Sequence, residues 1–163
     1  MTKRNEIGQN AQTAEIVVWG PMYATGIPLI DIQHRELISL TNQLYRACII
    51  GDDELQTVFR EAMGRMVDYV RFHFAAELKL LEAIHYSEFP NHKKMHETLV
   101  GNILEAVKEQ EEGKKFVPNN FVRTLRDWVF GHIAIEDRKY SLFVAKQKRL
   151  GLLTDQQIDS IKV

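Results

Sequence analysis

The sequence predicts an all-α protein: an antiparallel up-and-down four-helix bundle with an extended N-terminal arm and a short C-terminal helix. Apolar residues recur at spacings of three and four in four separate segments, which is typical of amphipathic helices. Glycine, proline and short polar stretches separate these segments. No segment shows an alternating strand pattern of consequence, so short connections between four helices favour a bundle.

The chain divides into a flexible polar arm (1–15), a helical domain (16–150) and a C-terminal extension (151–163). The domain begins with the apolar residues 16–19, which Gly20 and Pro21 keep from extending into a regular element. We therefore expect an extended segment that places Trp19 against the helices.

The first helix is predicted to start at Asp31 as N-cap and to end near Gly51, with Asp52 or Asp53 capping the second. Its apolar face carries His34, Leu37, Thr41, Leu44 and Cys48.

The second helix is predicted from about residue 53 to 85, and residues 87–90 form the break after it. Its stripe is Met66, Val70, His73, Glu77, Leu80 and Ile84.

The third helix starts near Pro90 and carries His92, His96, Leu99 and Ile103 on one face, before a polar loop at 109–115. Pro118 opens the fourth helix and Gly151 ends it, after which Thr154 and Gln157 resemble a capping box. The fourth stripe is Phe121, Leu125, Trp128, His132 and Ile135.

Composition excludes several classes of function. The 163 residues hold 21 Lys and Arg against 22 Asp and Glu, a balance without the basic excess of a nucleic-acid-binding protein. One cysteine, Cys48, excludes an intrachain disulfide and a multi-cysteine metal site; we expect it in the core.

No apolar run approaches the roughly 20 residues of a membrane span, and the polar start lacks the apolar core of a signal peptide. We expect a cytoplasmic protein with no membrane or nucleic-acid partner.

Every predicted helix places at least one histidine on its apolar stripe. Residues four apart on a helix differ by only about 40° around its axis, so His73 and Glu77, like His92 and His96, can point at one spot. A single histidine on an apolar face is more often a buried core residue than a ligand. Five in one core would need five separate hydrogen-bonding solutions, whereas metal coordination satisfies them together. The pattern favours a metal site, and five nitrogens with carboxylates fit a pair of metal ions.

The sequence also resembles a known family, the hemerythrin-like domains, and within it the single-domain bacterial kind called bacteriohemerythrins. The resemblance covers about residues 16–150. The segments that carry it are GIPLIDIQH at 26–34, HFAAE at 73–77, HKKMH at 92–96 and WVFGHIAIEDRKY at 128–140.

This resemblance implies two iron ions without haem, joined by an oxo or hydroxo group, that bind dioxygen reversibly at an open coordination position. One iron would be held by His92, His96 and His132, and the other by His34 and His73. Glu77 and Asp137 would bridge the two ions. Helix spacing alone instead favours Glu136 as the partner of His132, because i and i+4 lie on one face. We expect Asp137, because a ligand that bridges two metals need not lie directly above His132. Candidates for an apolar wall around the site are Phe72, Phe74, Trp128, Val129 and Tyr140.

The main hypothesis is oxygen storage, delivery or sensing without turnover of an organic substrate. One alternative is a di-iron enzyme that reduces dioxygen, peroxide or nitric oxide; another is a bundle used only for docking. The excess of histidines over carboxylates favours binding over activation. Two other patterns, a single Glu82-x-x-His85 and His96-Glu97 with Val100 in place of a second histidine, are too incomplete to predict metal sites.

Overall fold

A computed structural model describes residues 13–50, 53–112 and 118–161. Its main helices are α1 (Pro28–Ile50), α2 (Asp53–Ala83), α3 (Phe89–Glu111), α4 (Pro118–Trp128), α5 (Arg138–Arg149) and α6 (Asp155–Asp159). A π-helical segment, Val129–Asp137, joins α4 to α5, and a 3-10 turn, Pro21–Tyr23, precedes α1. These described residues contain no strand and no helix that is long and apolar enough to cross a membrane. Residues 1–12, 51–52 and 113–117 lie outside them. The polar loop predicted at 109–115 begins later than expected, because α3 continues to Glu111.

The helices form the predicted bundle. Residue 33 contacts residue 73 and residue 43 contacts residue 65, so α1 and α2 run in opposite directions. The pairing of residue 96 with 132 and of 92 with 137 shows the same for α3 and the fourth helical stretch. The prediction of an all-α bundle is confirmed.

The start of α1 differs from the prediction. The helix begins at Pro28, where proline suits the first turn, and Asp31 is therefore inside the helix and not its N-cap. The Asp31 carboxylate reaches back and accepts hydrogen bonds from the Thr25 amide (2.6 Å), the Thr25 hydroxyl (2.7 Å) and the Gly26 amide (3.2 Å). It thereby fixes the loop that leads into α1.

Helices α2 and α5 end in the same hydrogen-bonding motif. Gly151 has a φ of +70°, and the amides of residues 151 and 152 bond back to the carbonyls of 148 and 147, which is a Schellman motif. His85 has a φ of +54° and plays the same part after α2, although it is not glycine. The predicted capping box of Thr154 and Gln157 is present at α6.

The fourth stretch is not one regular α-helix. In the π-helical segment hydrogen bonds join residues five apart, so positions i and i+5 share a face. His132 and Asp137 are consequently both buried, whereas Ile135 is 48% exposed. The prediction that Ile135 continues the apolar stripe is wrong, because it assumed α-helical periodicity.

Two apolar clusters fill the bundle. The larger one contains the C-terminal half of α1, the middle of α2, α3 and α4, with Leu37, Met66, Leu99 and Leu125 fully buried. The smaller one joins the first turn of α1, the end of α2, α5 and α6. Ile158 of α6 is buried in the smaller cluster, so the C-terminal extension packs on the bundle.

The extended segment before α1 is held by Asn42. Its side-chain oxygen accepts from the amides of Ile16 (3.0 Å) and Val17 (3.1 Å), and its amide donates to the Val17 carbonyl (2.7 Å). Trp19 is partly buried against the larger cluster, with the Arg35 guanidinium 4.0 Å from its ring centre. This agrees with the predicted placement of Trp19.

We predict that Asn42→Ala lowers the free energy of unfolding by about 2 kcal/mol, because it leaves buried backbone groups of Ile16 and Val17 without partners. Urea titration followed by circular dichroism measures this. Gln43→Ala, which removes only exposed hydrogen bonds, is the matched control and should change stability by less than about 0.5 kcal/mol. Equal effects of the two substitutions would contradict the role given to Asn42.

Candidate metal centre

Seven polar side chains meet inside the bundle, between the two apolar clusters. Every helical stretch contributes at least one of these side chains. Along each stretch, residues of the larger cluster lie on one side of the contributed positions and residues of the smaller cluster lie on the other. All seven side chains are buried, with exposed fractions of 3% or less. They are His34 from α1, His73 and Glu77 from α2, His92 and His96 from α3, and His132 and Asp137 from the π-helical segment. The structure thus brings together every residue that the sequence predicted for the site.

One group of ligand atoms belongs to Glu77, His92, His96 and His132, all within 4.8 Å of one another. The Glu77 Oε2 atom lies 3.1 Å from His96 Nε2 and 3.4 Å from His92 Nε2. His96 Nε2 and His132 Nε2 are 2.8 Å apart. Nitrogen atoms that converge so closely around a carboxylate oxygen have the arrangement of ligands around a cation.

A second group contains His34, His73 and again Glu77, within the same 4.8 Å. Asp137 approaches both groups as well: its oxygens lie 3.2 Å from His34 Nε2 and 3.2 Å from His132 Nε2. Each of the two carboxylates therefore contacts histidines of both groups, which is the position of a bridging ligand.

Many polar atoms at this site are buried and have no hydrogen-bond partner. Such atoms are rare in folded proteins because leaving each one unpaired costs about 1–3 kcal/mol. Metal coordination would satisfy most of them, so the residues fit a metal pair. The Nδ1 atoms of His96 and His132 also lack a partner and face away from the carboxylates. The unpaired atoms of the site that point inward are Nε2 of His34, His73 and His92 and both carboxylate oxygens of Glu77 and Asp137.

The charges of the site reinforce this conclusion. Burial and repulsion from Glu77 raise the pKa of Asp137 to about 7. Burial also opposes ionisation of Glu77, but the nearby imidazoles of His92 and His96 outweigh it and hold the pKa of Glu77 well below its usual value. Two buried carboxylates in contact with the same histidines require positive charge nearby, which metal cations supply.

Burial opposes the charged form of all five histidines and lowers the pKa of three of them, His73, His96 and His132. Burial lowers the pKa of His73 to about 3 and the pKa of His132 well below its ordinary value. At His34 and His92 the contacts with Asp137 and Glu77 outweigh burial and raise the pKa. In a neutral imidazole one ring nitrogen carries the proton and the other has a free lone pair. A hydrogen-bond acceptor beside one nitrogen holds the proton there and leaves the lone pair on the other.

Two of the imidazoles have such a partner. His34 Nδ1 lies 3.3 Å from the Tyr23 carbonyl, and His73 Nδ1 lies 3.0 Å from the Gln33 side-chain oxygen. Both acceptors require Nδ1 to carry the proton, which leaves Nε2 free to bind a cation. The sequence analysis gave no role to Tyr23 or Gln33. The available signal was the position of Gln33, which directly precedes His34 and so faces sideways, toward α2.

Aromatic rings surround the imidazoles. Phe74 stacks on His96 with ring centres 3.6 Å apart, and Trp128 stacks on His132 at 4.2 Å. Val129 and Tyr140 are fully buried nearby, as expected for the wall. Phe72 is 69% exposed, so its assignment to the wall is wrong: it neighbours His73 in sequence but points about 100° away.

Tyr69, which the sequence analysis did not select, stacks on His73 at 5.2 Å. Burial and the carboxylates Glu77 and Asp137 raise the pKa of both Tyr69 and Tyr140 well above the usual value, so both remain neutral phenols.

The other residues that the sequence suggested as possible ligands or core residues do not join the seven buried side chains. Glu82 and His85 are exposed, and Cys48 is only partly buried against the larger cluster. Glu136 pairs with Lys139 at 2.5 Å and does not join the buried group, as the preference for Asp137 requires.

Comparison with known proteins gives a consistent result. The family model described as the hemerythrin HHE cation binding domain matches residues 25–141, which include all seven side chains. A bacteriohemerythrin of Pseudomonas aeruginosa is 31% identical over 124 residues, 76% of this chain and 78% of that protein. A bacteriohemerythrin of Methylococcus capsulatus is 27% identical over 118 residues, 72% of this chain and 88% of that protein. The crystal structure of wild-type hemerythrin superposes with a TM-score of 0.71 at 26% identity, over 78% of this chain and 96% of that one. The chain therefore belongs to the hemerythrin family.

Proposed function

We propose that this protein binds dioxygen reversibly at two iron ions, for oxygen storage, delivery or sensing. The observation that carries the proposal is the buried layer of five histidines and two carboxylates, whose inward atoms lack partners within the protein. The relatives named bacteriohemerythrin support it, because they share the fold and most of the chain.

In this proposal His92, His96 and His132 hold one iron, and His34 and His73 hold the other. The two groups of converging ligand atoms support this division. Glu77 and Asp137 would bridge the ions, in agreement with their contacts to both groups. With two histidines against three, the second ion would have room to bind dioxygen.

The iron pair supplies the reversible exchange of electrons with dioxygen when it is bound. The chain's own residues do the rest. Phe74 and Trp128 cover His96 and His132 and exclude water from that side of the site. Gln33 and the Tyr23 carbonyl hold His73 and His34 with Nε2 turned inward. Tyr69 and Tyr140 present neutral phenols and add no charge.

The ligand composition favours binding over turnover. Five neutral imidazoles and two carboxylates give the metals less negative charge than a carboxylate-rich site would. This donor set would favour reversible binding of dioxygen over cleavage of its oxygen–oxygen bond.

We predict that the anaerobically reconstituted protein contains two iron ions per chain. Its absorption spectrum should change on exposure to oxygen and return when oxygen is removed, over repeated cycles. Elemental analysis and a spectrophotometric cell with controlled oxygen pressure measure both. A single metal per chain, firm retention of zinc in place of iron, or net consumption of oxygen with each cycle would contradict the proposal.

We predict that Asp137→Ala lowers the iron content sharply and removes the bridging-group absorption of the oxidised form, whereas Glu136→Ala retains both. Asp137 is buried among the histidines, and Glu136 is paired with Lys139 at the surface. The two adjacent substitutions remove the same charge, so they form a matched pair. The opposite result would overturn the bridging role of Asp137.

We predict that Gln33→Leu weakens iron retention by about 10–100-fold, because His73 Nδ1 loses its acceptor. A chelator competition series measures this, and thermal melting of the metal-free variant checks that it folds. Gln33→Glu keeps an acceptor oxygen at that place and should retain iron. Equal iron affinity of Gln33→Leu and the unaltered protein would show that Gln33 does not position His73.

A further inference from the structure

A cavity of about 190 Å³ lies where the first turn of α1, the end of α2 and the C-terminal helix α6 meet. Seven of its eight lining residues are apolar, and the cavity is partly open to solvent. The main lining residues are Ile27 and Ile30 from α1, Ala76 and Leu80 from α2, and Ile158 and Ile161 from the C-terminal segment. The one charged lining residue, Asp159, is exposed, and Leu29, which is 45% exposed, stands at the surface side.

The inner wall of this cavity adjoins the metal centre. Ile30 precedes His34 by one helical turn on the same face of α1 and is 2% exposed. Ala76 lies between His73 and Leu80 on the same face of α2 and is fully buried. These two helices carry the histidines of the iron that keeps an open position.

The chemistry of the lining determines what the cavity can hold. Apolar side chains offer water none of the two to four polar partners that hold it in a protein interior, whereas an apolar cavity of roughly 150 Å³ binds xenon or benzene. Dioxygen is likewise small and apolar. The volume and lining on this side of the protein therefore fit such a molecule better than water or an anion.

We infer that this cavity is a binding site for a small apolar gas molecule, dioxygen in the working protein, and that α6 forms its outer wall. The inference rests on the proposed function for the identity of the gas. The wall is a feature added to the family's domain, because Ile158 and Ile161 lie beyond the matched residues 25–141. Dioxygen held here is one helical turn from the site that binds it.

Xenon is the probe for the test, since it binds apolar cavities without regard to the metal. Crystals or solutions of the protein under xenon pressure should show one xenon atom among Ile30, Leu80 and Ile158, by diffraction or by xenon NMR. Ile158→Trp should fill the cavity and abolish this binding, and Ile158→Ala should enlarge the cavity and retain it. Gln156→Trp places the same ring on the exposed side of α6 and is the matched control.

Oxygen association, followed by flash photolysis or stopped flow, supplies the second measurement. Ile158→Trp should slow it several-fold at unchanged iron content, and Gln156→Trp should leave it unchanged. If xenon does not bind, or if it still binds to Ile158→Trp, the cavity is not a gas site. Xenon binding does not depend on iron, so failure of the proposed function would appear separately, as absent iron or absent oxygen cycling.

Discussion

The structure depends on burying seven polar side chains in one layer of an otherwise apolar bundle. Such a layer is unfavourable for folding unless its atoms are paired, and the chain itself supplies few of the partners. Every helix must place its contribution at one depth and on one face. The helix lengths, the short connections and the order of the apolar residues on both sides of the layer all follow from this requirement.

The four helical stretches bury their polar residues in different ways. On α1, α2 and α3, α-helical periodicity is sufficient, because the inward residues are single or four apart. The fourth stretch must bury His132 and Asp137, which are five apart, and it does so by changing to π-helical hydrogen bonding over nine residues. The backbone departs from α-helical geometry in this segment, and the departure buries both side chains. π-helical segments often occur at functional sites.

The sequence is sufficient to predict the bundle and to place five histidines and Glu77 on inner faces, since spacings of three and four specify both. Asp137 follows only from the resemblance to a known family, because helix spacing alone favours Glu136. Helical periodicity is insufficient where the local backbone geometry departs from that of a regular α-helix. A regular α-helical period places Ile135 inside, whereas the π-helical segment exposes it. The sequence pattern at Asp31 is that of an N-cap, and a helical pattern does not show the hydrogen bonds that this residue makes to the preceding loop. The roles of Gln33 and Tyr69 depend on contacts between helices, which periodicity does not encode.

The division of the apolar interior into two clusters has a consequence for cooperativity. Residues 34, 73, 92 and 132 anchor the polar layer to all four helical stretches, so cations bound there link the larger cluster to the smaller one that contains α6. A ligand that binds only the native arrangement stabilises everything needed to form it. We expect the metal-loaded chain to open as one unit. In the metal-free chain we expect the two halves to behave as separate foldons, with earlier amide hydrogen exchange in the half closed by α6, because its core is smaller.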